Sequence, residues 1–180
     1  MKLRTLLMGA AATLAIAPAA MAERGADGAL NIIMWQAPST MNPYLSGGTK
    51  ELVASSMTLE PLAVMTPQGE LSPRLVTEIP TLDNGGIAED LKSVTWKLQE
   101  GLKWSDGSPL TAADVVFSGE YCMDPQGGCS QLAKFEGVES IEAVDDLTVK
   151  VNFTAAMPDP YSAFVGANSP ILQKAQFENC

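Results

Sequence analysis

The stretch from Val94 to Phe117 restricts the fold more than any other part of the chain. Val94, Trp96 and Leu98 alternate with Thr95 and Lys97, the pattern of an antiparallel strand with one buried face. Gly101 breaks the alternation, and Lys103-Trp104-Ser105-Asp106-Gly107-Ser108-Pro109 follows as a tight reversal. In such a turn the aspartate bonds its own backbone two residues on, and the glycine takes the left-handed conformation other residues avoid. Thr111 and Asp114 have the spacing of a capping box, which opens a helix through about Tyr121 with Val115, Val116 and Phe117 on its buried side. Strand, reversal and helix thus form one local unit against which the remainder must pack. Trp96 and Trp104 are expected in its core, and Asp106, Thr111 and Asp114 are expected to hold structure.

Other segments read less sharply. Leu30 to Met34 is a short apolar run read as a buried strand, ended by a loop containing Pro38 and Pro43. Thr49 is read as the cap of a helix reaching about Leu59, with Leu52, Val53, Ser56 and Met57 on one face and Pro61 beyond its end. Leu62–Met65 and Leu71–Leu75 flank the turn Thr66-Pro67-Gln68-Gly69. Val138–Ala143 and Thr148–Phe153 form a hairpin around Asp145-Asp146, and a last short helix is expected over Pro160–Val165. The class is therefore α/β or α+β with a mixed sheet.

The first 22 residues have the marks of an export signal. Lys2 and Arg4 precede an uncharged run from Leu6 to Pro18, too short to span a bilayer, and Ala20-Met21-Ala22 places cleavage before Glu23. No cysteine follows the run, so a periplasmic protein without a lipid anchor is expected. A net charge of −10 opposes binding to phosphate backbones, and nucleic acid is not expected as a partner. The chain contains no histidine, which removes Ser-His-Asp chemistry, His-ligated zinc and imidazole acid–base catalysis. Neither a G-x-S-x-G elbow nor an S-x-x-K pair occurs, so no enzyme activity, cofactor or metal is expected. Cys122 and Cys129 flank a Pro- and Gly-containing loop and should bridge in an oxidising compartment, contributing about 2–3 kcal/mol. Cys180 has no local partner, and one beyond the end of this sequence is expected.

Thr95 to Phe117, read as a whole, resembles the signature of the family 5 extracellular solute-binding proteins. Its elements are a strand, then Gly-x-x-aromatic-x-Asp-Gly-x-Pro-x-Thr-Ala-x-Asp-Val and a phenylalanine two residues on. Asn42-Pro43, Glu60-Pro61-Leu62, Leu71-Ser72-Pro73-Arg74-Leu75 and Val138-Glu139-Ser140-Ile141 fall in the family's order. Two features depart from the general pattern, the long Asp83–Ala88 loop and the cysteine pair.

The resemblance implies a bilobal fold like the type II periplasmic binding proteins, of which this chain holds part of the first lobe and its extra subdomain. Residues 1–22 are then the signal peptide, 23–45 the start of lobe I, 46–163 its subdomain and 164–180 the return to lobe I, with the second lobe absent. The implied function is capture of a peptide or other small-molecule ligand for delivery to ABC permease subunits in the membrane, by a monomer. In peptide-binding members the second lobe supplies an acidic residue for the ligand's amino terminus. The family also carries opines, oligosaccharides and nickel complexes, and an exported hydrolase with catalytic residues beyond Cys180 is the alternative of another class. Six residues near the carboxyl end of the first expected strand are the ligand-binding candidates. They are Ser39, Thr40, Met41 and Asn42 in the loop, Tyr44 with its amphipathic ring, and Leu52 on the next helix.

Overall fold

The computed structural model describes residues 28, 29 and 31–177. The signal segment with its cleavage site and Cys180 lie outside the described residues. The chain divides into two units, Met1–Ile33 and Met34–Cys180. The described residues of the first carry no regular element, and Ile33 is 99% exposed. The strand expected over Leu30–Met34 is therefore not formed in residues 31–34. A strand exists by pairing, and among the described residues no strand is paired with this segment.

The second unit begins with α1 (Thr49–Ser55), followed by the short antiparallel pair β1 (Ala63–Met65) and β2 (Leu71–Pro73). Gly69, at φ 84°, closes the β1–β2 turn, and its N–H donates to the Thr66 carbonyl at 2.9 Å. Next come β3 (Ser93–Lys97), α2 (Ala112–Met123), a single 3-10 turn (Leu132–Phe135), β4 (Val138–Asp145), β5 (Thr148–Phe153) and α3 (Lys174–Phe177). The strand order β3-β5-β4 is antiparallel throughout. A lone parallel bridge between Ala63 and Val165 gives the architecture its mixed character. Two bulges interrupt β4, which blunts that edge of the sheet against further pairing.

The core forms where α2 covers one face of the three-stranded sheet. Val94, Trp96, Val149 and Val151 are fully buried from the sheet, and Val115 and Cys122 from the helix. Alternation explains the sheet's contribution, since β5 buries Val149, Val151 and Phe153 while Thr148, Lys150 and Asn152 stay partly exposed. Gly119 lets α2 approach closely, because a Cβ there would run into Ile141 and come within 3.1 Å of Phe164. Ile171 and Leu172 of the returning chain complete the cluster.

Two expected helices differ from those observed. The helix read over Thr49–Leu59 is shorter, begins after Gly48 rather than at a Thr49 cap, and buries the opposite side. Glu51, Ala54 and Ser55 face inward, while Val53 and Met57 are exposed and Leu52 is half-buried. The Glu51 carboxylate receives the Ser39 N–H, and that tertiary bond orients the helix against its apolar pattern. The helix expected at Pro160–Val165 does not form. The Phe164 carbonyl accepts from Leu62 N–H and the Ala63 carbonyl from Gly166 N–H, both at 2.9 Å, so the backbone there is spent on the β1 segment. Phe164 itself sits at φ 62°, which a helix excludes.

Candidate functional site

The Thr95–Phe117 unit folds as read and then does more. Gly107 adopts φ 86°, and Asp106 Oδ1 accepts the Ser108 N–H at 2.8 Å. Thr111 caps α2, and its N–H donates to Asp114 Oδ2 at 3.0 Å, closing the box. The same carboxylate accepts the Trp104 indole N–H at 3.3 Å and, through Oδ1, the Lys174 N–H at 2.9 Å. Gln173 donates from its amide to Asp106 Oδ2 at 2.7 Å and to the Ser108 hydroxyl at 3.0 Å. The Ser108 hydroxyl, and after it the Gln173 amide, hold the Asp106 carboxyl below the usual aspartate range. Buried Ser118 accepts the Leu172 N–H at 2.7 Å. The turn and helix start thus grip residues 172–174, some 60 positions along the chain.

This grip builds a groove of about 360 Å³ whose walls come from distant parts of the sequence. Thr40, Met41 and Asn42 line one side, Trp104 and Ser105 another, Thr58 and Leu59 a third, and Gln173, Gln176 and Phe177 close it. The surface is amphipathic, with hydroxyl and amide groups beside one indole and one phenyl ring, as sites for small organic ligands commonly are. Trp104 is half-buried, packing against the core cluster from the groove wall, whereas Trp96 is fully buried within it. Among the described residues no three His, Cys, Asp or Glu side chains cluster as metal ligands.

The six candidates separate into three groups. Thr40, Met41 and Asn42 border the groove. Met41 is 44% exposed, whereas Asn42 is buried and already bonded, its Oδ1 accepting Tyr44 N–H and its Nδ2 donating to Tyr121 OH at 3.4 Å. Ser39 lies apart with Lys50 and Glu51: Lys50 Nζ donates to Ser39 Oγ at 2.8 Å and pairs with Glu51 Oε1 at 2.8 Å. Leu52 is half-buried on α1 and does not line the groove. Tyr44 belongs to the core: it is fully buried, and its hydroxyl donates to the Pro170 carbonyl at 2.7 Å. Burial pushes its phenol pKa far above the ordinary value. Sequence reasoning missed Ser105, Thr58, Leu59, Gln173 and Phe177, for which only the wet side of the Asp-Gly turn offered any signal.

Glu51 is the most unusual charge near this loop. It is 1% exposed, and its Oε2 is buried against Gly48 with no hydrogen-bond partner among the described residues. The Lys50 ammonium, then the Ser39 N–H, pull its pKa from 4.5 down to about 2. The ionised form is therefore favoured by folding. Its contribution is whole above pH 4.5 and is lost as pH falls toward 2. Glu51→Gln should flatten the stability–pH curve between those values, as measured by urea midpoints at stepped pH. An unchanged slope would show that the carboxylate is not coupled to folding.

Comparison with known proteins places this geometry. Residues 70–179, well over half of the chain, match the profile of the bacterial extracellular solute-binding proteins, family 5, middle region. The oligopeptide-binding protein OppA of Bacillus subtilis (strain 168) is 27% identical over 147 residues, covering 73% of this chain and 26% of that protein. The periplasmic oligopeptide-binding protein OppA of Escherichia coli (strain K12) is 27% identical over 156 residues, covering 77% and 27%. Among solved structures, Haemophilus influenzae OppA in complex with RPPGFSPFR superposes with a TM-score of 0.69 at 25% identity, over 79% of this chain and 30% of that one. The chain spans about a quarter of the length of the curated relatives it matches. With the strand, Asp-Gly reversal and capped helix in the geometry described, the chain belongs to the family 5 bacterial extracellular solute-binding proteins.

Proposed function

We propose that this chain forms one wall of a cleft that captures peptides or related solutes in the periplasm and presents them to an ABC importer permease. The carrying observation is the groove in which Thr40–Asn42 faces Trp104, Ser105 and Gln173, on a fold shared with a solved OppA that holds a peptide. Uncovered apolar side chains in the sequence around Thr40–Asn42 support the reading. Trp35, Met41, Leu45, Val53 and Met57 are each between 38% and 68% exposed, all within one short stretch of sequence. Such a concentration suits a surface that meets further protein or ligand.

In this reading residues 46–163 are a subdomain of the first lobe, and the segments on either side belong to the lobe proper. The bond from the Tyr44 hydroxyl to the Pro170 carbonyl, which joins the two flanking segments, supports that reading. A second lobe closes the cleft, and a ligand shifts the open–closed population only by its greater affinity for the closed form. Binding, not catalysis, is the chemistry, performed by an exported monomer without a lipid anchor. The Thr40 hydroxyl offers a bond to a ligand's main chain, and the apolar wall leaves side-chain identity loosely specified.

Native mass spectrometry of the exported protein, expressed with whatever coding sequence follows Cys180, tests this directly. Co-purified peptides of mixed sequence that dissociate on unfolding are the expected result. A single non-peptide ligand, such as an opine or a nickel complex, would overturn the peptide assignment.

A further inference from the structure

The residues flanking the cysteine pair contact the segment that carries Asn42 to the groove, and these surroundings give the pair a task. Cys122 is fully buried in the last turn of α2, and Cys129 is half-buried after the exposed loop 124–128, with their Cα atoms 5.0 Å apart across the bridge. The residues just outside the bridge hold the candidate ligand segment. Ser130 N–H donates to the Tyr44 carbonyl at 2.8 Å, and the Gln131 amide, almost buried, donates to the Pro43 carbonyl at 3.4 Å. Preceding Cys122, the Tyr121 hydroxyl accepts from Asn42, and its ring lies 6.2 Å from that of Tyr44. Gln131 N–H in turn donates to Cys129 Sγ at 3.3 Å. The 42–44 segment is thus held from both sides of one covalent link.

We propose that the Cys122–Cys129 bridge is a positioning clamp for the Asn42–Leu45 side of the ligand groove. The helix α2 is fixed in the core through Val115, Ser118 and Cys122. The loop that follows contains Pro125, Gly127 and Gly128 and is exposed, so without the link it could not carry the helix's rigidity to Ser130 and Gln131. The bridge shortens that path to a single bond, and preorganised contacts cost a ligand less to order. The value of the clamp to binding rests on the function proposed above; the mechanical coupling does not.

Hydrogen exchange on the whole chain tests the coupling, comparing the oxidised protein with Cys122→Ala/Cys129→Ala and with Gln131→Ala, which keeps the bridge. The double variant should speed exchange about tenfold in peptides covering 42–45 and 130–135, leaving β3 and β5 as protected as before. Gln131→Ala should speed 42–45 several-fold with the 122–129 loop unchanged. Unaltered protection at 42–45 in both variants, or equal loosening of β3 and β5, would overturn the clamp, the latter marking the bridge as a general stabiliser. If 42–45 loosens as expected while peptide affinity of the longer protein stays constant, the clamp stands and the ligand assignment of this loop fails.

Discussion

Replacing Trp96 by alanine should destabilise the chain by about 3–5 kcal/mol, enough to leave a marginally stable domain substantially unfolded. Trp96 is fully buried at the middle of β3, where it stands opposite Val149 of β5. Its ring meets that of Tyr161 edge-on at 6.3 Å, and the Tyr161 hydroxyl donates to the Pro80 carbonyl at 2.7 Å. The indole therefore links the sheet to the Tyr161 segment, and through it to Pro80. Urea unfolding followed by far-UV circular dichroism measures the loss. A cost below about 1 kcal/mol would mean that the site relaxes, contrary to the packing described.

Asp114→Ala should cost about 3 kcal/mol or more, because three donors lose a charged acceptor at once. Trp104 Nε1, Thr111 N–H and Lys174 N–H converge on a carboxylate that is 7% exposed. Thr111 can turn to water at the helix end, but the Lys174 N–H, at the start of α3, loses the tertiary acceptor that ties α3 to α2. The effect should therefore include fraying of residues 172–177 and widening of the groove. Asp114→Asn keeps the shape and one acceptor and should fall between alanine and wild type. Equal denaturation midpoints for all three would show that the carboxylate does not carry the junction.

The contrast between these two positions and the rest of the chain explains what a sequence can convey. β3, the Asp106-Gly107 turn and α2 were legible because each is dictated by neighbours within a few residues: alternation, a glycine at positive φ, a capping box. The Cys122–Cys129 bridge was legible for the same reason, being closed by a short loop. The orientation of α1 was not, since it depends on the Ser39 N–H reaching Glu51 from twelve residues away. α3 was missed entirely. Its sequence carries no start signal of its own, and its first amide is satisfied by Asp114, 60 residues earlier.

The site follows the same rule. Thr40, Met41 and Asn42 were chosen for their place after an expected strand and border the groove, although residues 31–34 are not a strand here. Tyr44 carried the same amphipathic signal as a ligand-facing aromatic, and only the Pro170 carbonyl decides that it points into the core. Trp104 was the reverse case, an indole assigned to the core that packs against it and also forms part of the groove wall. Long-range partners settle both, and no local pattern encodes them.

Calorimetry with one peptide and two proteins bears most directly on the idea that this surface is half of a binding cleft. Residues 23–180 alone should give no micromolar titration, while the protein that includes the coding sequence after Cys180 should bind the same peptide with clear heat. Micromolar binding by residues 23–180 alone, or none by either, would contradict the account.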